Sequence, residues 1–305
     1  MSVMNRAQFK KELQEGLNAI FGLEYARYPE QWKDIFEISK ETKKAYVEDV
    51  LLTGFGGAQV NAEGAGVAYD STSEGWVSRY MFETIALAFA LTEEAQEDNL
   101  YIDMGGKMSK ALARAFAYTK NVKGANILNN GFSGSGFLGG DGKTLFATDH
   151  PLKSGGVGTN TLATMADLSE TSLEDLLILM GDMVDDRGLP IAVSAKKLIV
   201  PNALQFVAQR ILKSDGRVGT ADNDINAIRS MSLISGGFTV NNHLTDTDAF
   251  FITTDVNDGL KYIERKALSG GVEGDFETGN MRFKKRERYV MGWSDWRGAV
   301  ASQGI

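Results

Sequence analysis

Apolar and polar positions alternate most clearly on either side of a glycine-rich stretch early in the chain. Tyr46-Val-Glu-Asp-Val-Leu-Leu-Thr-Gly-Phe55 has strand chemistry, Gly54 to Gly66 supplies a flexible tip, and Trp76 to Ile85 again alternates large with small or polar residues. The pattern predicts a long hairpin over residues 45–83, its tip marked by Gly54, Gly56, Gly57, Gly64 and Gly66. A two-stranded ribbon is marginal in water by itself. A long one is therefore expected to lie on a neighbouring subunit, which points to assembly before chemistry.

Helical spacing surrounds this hairpin. Phe9, Leu13, Leu17, Ile20 and Phe21 recur along a glycine-interrupted segment that reads as an N-terminal arm over residues 1–44, whose later part holds Tyr28, Trp32, Ile35 and Phe36 with no evident partner. Thr92, followed by Glu93 and Glu94, is placed to cap a helix running to Leu128. Its expected buried face carries Leu100, Met104, Met108, Leu112, Ala115, Phe116 and Thr119, with Lys107, Lys110, Arg114 and Lys120 on other faces. If continuous, that helix is roughly 50 Å long at 1.5 Å per residue, the length of a structural strut. Gly105 and Gly106 weaken its middle.

Residues 129–160 read as a long glycine-rich loop around Leu145-Phe-Ala-Thr-Asp-His-Pro151. Ser172 is expected to cap a helix over Leu173 to Asp186, and Lys197 to Pro201 to form a buried strand before a helix at Ala203 to Leu212. Phe238 to Val240 and Ala249 to Thr254 continue a mixed α/β module. Leu260 to Glu264, Asp275 to Glu277 and a long strand from Asn280 to Met291 close the chain. Imperfect alternation of Met281, Phe283, Arg286 and Tyr289 suggests that this last strand is bulged.

Composition narrows the function classes. The 305 residues are 43% hydrophobic and carry a net charge of −8, enough apolar residue for a sizeable core and the wrong sign for a free nucleic-acid binder. The chain contains no cysteine, which excludes disulfides, thiolate catalysis and cysteine metal sites. Residues 45–106 contain acids but no lysine and only Arg79 as a cation. No apolar run approaches the roughly 20 residues of a membrane span. The one basic concentration is Arg282-Phe-Lys-Lys-Arg-Glu-Arg288, and strand geometry puts Arg282, Lys284, Arg286 and Arg288 on one side. That row suits an acidic neighbouring subunit better than it suits DNA, because the rest of the chain is acidic.

Catalytic signatures are weak. Asp149-His150 lacks a recognisable partner nucleophile, and a histidine capping a turn before Pro151 is the preferred reading. His150 and His243 give no metal spacing, the Gly136 to Gly142 cluster lacks a phosphate-loop ending, and Glu93-Glu94, Glu97-Asp98 and Asp185-Asp186 read as solvated helix ends. No cofactor, metal or catalytic residue is expected.

Taken together, the order of arm, hairpin, long helix, glycine-rich loop, α/β module and final strand resembles tailed-phage major capsid proteins of the α+β HK97-like fold. Asn129-Asn-Gly-Phe-Ser133 with Leu145 to Pro151 looks like the Mu-like head subunit branch. Leu198-Ile-Val-Pro-Asn202 and Ile234-Ser-Gly-Gly-Phe-Thr-Val240 look like the wider family. The resemblance implies an extended loop at 45–83, a peripheral domain with a spine helix at 84–189 and 263–305, and an axial domain at 190–262. It implies a virion shell of hexamers and pentamers, assembled in the host cytoplasm around double-stranded DNA held by non-specific contact. Scaffold protein, portal and decoration protein are its implied partners, and no membrane is involved. Because the extended loop has no lysine, the lysine–asparagine cross-link of some relatives is not expected, and the early start of the fold implies a separate scaffold or prior cleavage. The rival readings are an encapsulin-type nanocompartment, a tail or baseplate component, and a cytoplasmic hydrolase using His150.

Overall fold

The computed structural model describes residues 6–39, 42–64, 66–92, 101–134, 136–216, 225–274 and 279–305. Two four-stranded sheets organise them. The first has the order β1-β10-β11-β4, with β1 at Glu37–Ser39, β4 at Glu83–Leu91, β10 at Leu260–Gly274 and β11 at Met281–Trp293. The second has the order β12-β9-β7-β8, from Ala299–Ser302, Phe250–Thr254, Ala195–Val200 and Phe238–Val240. A separate hairpin pairs β2 (Tyr46–Leu52) with β3 (Glu74–Met81), and β5 (His150–Pro151) pairs with β6 (Val157–Gly158).

Helix α1 (Arg6–Tyr25) and the 29-residue α2 (Tyr101–Asn129) cover one face of the first sheet. Leu17 and Phe21 of α1, Leu112, Ala113 and Phe116 of α2, and Phe283 of β11 form a compact cluster there. Ser109 donates to the Leu17 carbonyl at 3.0 Å, and the Leu17 side chain lies beside Gly105 of α2. The arm therefore packs on its own subunit. Trp32, Ile35 and Phe36 find their partners in the main core, with the Trp32 ring 4.3 Å from that of Tyr262. The main core continues to the second sheet through α3 (Glu170–Gly181), α4 (Gln205–Lys213) and the short α5 (Ala227–Ser230).

Several expectations need correction. The Trp76 to Ile85 stretch is two strands, because β3 stays with the hairpin while β4 joins the first sheet. Leu260 to Glu264 is the start of a 15-residue strand that forms a long hairpin with β11. Between Glu264 and Ser269 the register slips twice, each time by one extra residue on β10, so the bulges lie in β10. In contrast β11 pairs without interruption with β4 from Met281↔Leu91 to Tyr289↔Glu83. Ser169 is the N-cap of α3, and Ser172 completes its capping box three residues on. The expected cap at Thr92 and the acids Glu93, Glu94, Glu97 and Asp98 concern a helix start in residues 93–100, and Asp275 to Glu277 falls in 275–278. Both segments lie outside the described residues.

Candidate assembly interface

The unbroken register of β11 fixes a strand with two opposed faces. Phe283, Lys285, Glu287 and Tyr289 are buried toward the helices, while Arg282, Lys284 and Arg286 are exposed and Arg288 is half-buried on the other side. Arg282, Lys284, Arg286 and Arg288 thus share one face of the strand. Their neighbours on β4 are Ala90, Ala88, Ala86 and Thr84, and on β10 Glu273, Gly271, Ser269 and Lys266. The small residues leave the cations standing above the sheet. Among the described residues, Lys284, Arg286 and Arg288 have no ion-pair partner.

On the inward face two charges are buried that composition places at the surface. Lys120, expected on an outer face of the long helix, is 6% exposed. Its Nζ lies 3.3 Å from Glu287 Oε2 and about equally far, 4.9 to 5.0 Å, from the rings of Trp32, Tyr262 and Tyr289. Burial raises the Glu287 carboxyl above its ordinary range, and Lys120 only partly offsets it. Lys285 is likewise pushed down by burial and donates to Asn18 Oδ1 at 2.7 Å, joining β11 to α1.

The hairpin has a base fixed by ion pairs and a tip outside the strand ladder. At the base, Lys261 Nζ reaches Asp49 Oδ2 at 2.5 Å and Asp258 Oδ1 at 2.6 Å. Ser294 Oγ donates to the same Asp49 oxygen at 2.9 Å and bonds Tyr80. Burial depresses the Lys261 ammonium, but the two carboxylates outweigh it and hold it above the usual lysine value. Midway, Trp76 Nε1 donates to the Pro151 carbonyl at 3.3 Å beneath the Lys153 ammonium. Residues 53–73 form no strand among those described. Gly54 and Gly64 there take positive φ, while Gly56, Gly57 and Gly66 do not. Outward, the hairpin exposes Tyr46, Val50, Leu52, Phe55, Val77 and Met81, an apolar face that the subunit itself leaves uncovered.

His150 is a buried ring and not the expected turn-capping loop residue, and it forms no unit with Asp149, the pair of the rival hydrolase reading. Asp149 is at the surface with Lys143, whereas His150 is fully buried, its Nδ1 2.6 Å from Asp141 Oδ2 and its ring stacked 4.6 Å from Trp296. Its Nε2 has no hydrogen-bond partner among the described residues. Asp186, read as part of a solvated helix end, is also buried and faces Arg297 at 3.6 Å, while Arg297 is bound by Asp295 at 3.2 Å. These are supports for the glycine-rich loop and the chain end. Among the described residues no cluster of carboxylates and histidines is arranged to hold a metal, and no helix is long and apolar enough to cross a membrane.

A projecting hairpin, a long helix backing a sheet, and a second α/β sheet define the HK97-like class of shell subunits. Solved structures of that class superpose over nearly the whole chain. A virus-like particle from Pyrococcus furiosus shares 11% identity at a TM-score of 0.51, covering 94% of this chain and 98% of the other. The capsid of Myoviridae phage XM1 shares 13% at 0.51, covering 90% of each, and Microbacterium phage Oxtober96 shares 12% at 0.53, covering 91% and 92%. Identities this low establish the fold only. No curated protein matches the sequence. The model of the phage capsid protein family matches residues 76–302, and the chain belongs to that family. It is a major capsid protein, a structural subunit of the virion shell, and the family match favours this over a nanocompartment.

Proposed function

We propose that the subunit assembles as hexamers and pentamers into a closed shell around double-stranded DNA, in the host cytoplasm and with a scaffold protein and portal. In this reading the basic row of β11 receives the acidic hairpin of a neighbouring subunit. The observation that carries it is the strand's alternation: three cations without ion-pair partners among the described residues stand over small β4 residues, on the sheet face that no described helix covers. Residues 46–81 hold five carboxylates and one arginine, and Glu63 and Glu74 have no ion pair among the described residues, which supports a partner surface within the same chain. A hairpin lent to a neighbour also buries the apolar face that the free subunit exposes. Interfaces that hold assemblies need about 1,000 Å² or more, and a cationic row alone cannot supply that.

The test is the double variant Lys284→Glu/Arg286→Glu. Subunit stability should stay within about 0.5 kcal/mol of the parent, since both side chains are exposed, while shell formation seen by electron microscopy is lost. Shells that close normally but no longer retain DNA would instead assign the row to the packaged genome. Normal shells with normal DNA content would leave the row without either role.

A further inference from the structure

The tip of the extended hairpin is tied to its own subunit by a polar clasp. Asp70 is organised by its own loop: Oδ2 accepts from the Gly56 amide at 2.7 Å and Oδ1 from the Ser71 amide at 2.8 Å. These two amides, with Arg187 behind them, hold the exposed Asp70 carboxyl below the ordinary value. Arg187 approaches from the body, its Nη1 2.9 and 3.2 Å from the two carboxylate oxygens and its Nη2 bonded to the Ser71 carbonyl.

Arg187 has an independent mount. Asp185 Oδ1 accepts from the amides of Arg187 and Leu189, each at 2.8 Å, Gly188 turns the chain at a φ of 83°, and Asp186 is buried beside Arg297. Each half of the clasp is therefore shaped without the other: a carboxylate seated on loop amides, and an arginine presented by a braced turn. Both side chains remain partly exposed, 27% for Arg187 and 46% for Asp70, so opening the pair is cheap. Because every copy carries both halves, the same pair can form between two copies at nearly equal energy. The balance is then set by what else the hairpin buries, as in the exchange of identical elements between protomers.

We propose that the Asp70–Arg187 clasp is exchangeable, closed within the free subunit and re-formed between neighbours in the shell. In the free subunit it stows the hairpin tip against the subunit's own body, while the apolar outer face of residues 46–81 stays exposed for a neighbour. In the shell Asp70 of one copy engages Arg187 of the next. This inference rests on the shell reading above.

The experiment uses Arg187→Lys, which keeps the charge and allows a carbodiimide to join position 187 directly to Asp70. Subunits labelled with light and heavy nitrogen are mixed, cross-linked either free or after assembly, and mapped by mass spectrometry. Free subunits should give 70–187 links within one label. Closed shells should give links of which about half join light to heavy, since identical copies exchange without preference. Same-label links only, in shells that microscopy shows to be closed, overturn the exchange and leave the shell reading intact. Absence of any 70–187 link in free subunits overturns the stowed state. A second test does not depend on cross-linking: Asp70→Arg chains and Arg187→Asp chains should each assemble poorly, and their equal mixture several-fold better than either. A mixture no better than its components counts against the proposal, whereas failure of the parent chain to form shells at all would refute the shell reading itself.

Discussion

Replacing Lys120 by methionine should destabilise the subunit far more than the loss of a surface lysine would. Two unit charges about 4 Å apart interact by only about 1 kcal/mol in water, and an exposed pair contributes less still. Here the Lys120 and Glu287 side chains are 8% and 2% exposed, so that discount does not apply. Methionine fills much of the lysine volume, leaving Glu287 charged and unpaired among Trp32, Tyr262 and Tyr289. Breaking a buried pair from one side costs about 3–5 kcal/mol, and that is the loss expected at pH 7. Glu287→Leu in the same chain should recover most of it, because removing both charges removes the desolvation cost with them.

The same variant carries a pH signature. The Glu287 carboxyl already sits above its ordinary value through burial, opposed by Lys120. A carboxyl raised in the folded state binds its proton more tightly there than in the unfolded chain, so its contribution to stability improves as pH falls through the folded and then the unfolded pKa. Without Lys120 the folded value rises further, and each additional unit amounts to about 1.4 kcal/mol. The deficit of Lys120→Met relative to the parent should therefore shrink between pH 7 and pH 5. Urea unfolding of dissociated subunits, followed by tryptophan fluorescence at both pH values, measures it. A deficit below about 1 kcal/mol at pH 7, or one unchanged on acidification, would refute the account of the pair as a buried, mutually dependent unit.

Two further substitutions test the supports of the glycine-rich loop. Asn160 is fully buried, with Nδ2 within 2.7 to 3.0 Å of the Leu145, Trp296 and Ala299 carbonyls and Oδ1 accepting from the Ala147 amide at 3.1 Å. Asn160→Ala should cost about 2–4 kcal/mol by leaving buried groups unpaired, read as a fall in the urea midpoint. His150→Ala should lose a similar amount, about 2–4 kcal/mol, through the cavity beside Trp296 and the stranded Asp141. A His150→Ala subunit of parental stability that had lost a hydrolytic activity would revive the catalytic reading of this residue.

Strand and helix periodicity located the hairpin, the long helix, β7, β8, β9 and the basic row, because each depends on neighbours within a few residues. What the sequence hid depends on distant partners. Lys120 falls on a charged-looking helix face, and only the approach of Glu287, 167 residues away, makes its burial tolerable. His150 reads as a loop residue capping a turn before Pro151, yet it is buried and the Gly139 to Gly142 turn brings Asp141 to it. Strand β10 was read as a fragment because two bulges and the Gly270-Gly271 pair break its alternation, while its continuity comes from pairing with β11. The clasp had no local signal either, since Asp70 and Arg187 lie 117 residues apart.

These hidden pairs share a consequence for how the shell surface is specified. A slip of β11 by one residue would turn Arg282, Lys284, Arg286 and Arg288 into the core and expose Phe283 and Tyr289, since side chains alternate with a period of two. The interface therefore depends on register, and register depends on the inward face. Lys285 bound to Asn18, Glu287 to Lys120, and the aromatic contact of Phe283 with Phe89 each fix the strand against a different element: α1, α2 and β4. Buried charges are weak sources of stability, and their best-attested use is to select one arrangement among near-equivalents. In this strand the selected arrangement is the one that keeps the cationic row facing outward, so loss of the Lys120–Glu287 pair should disturb assembly before it unfolds the subunit.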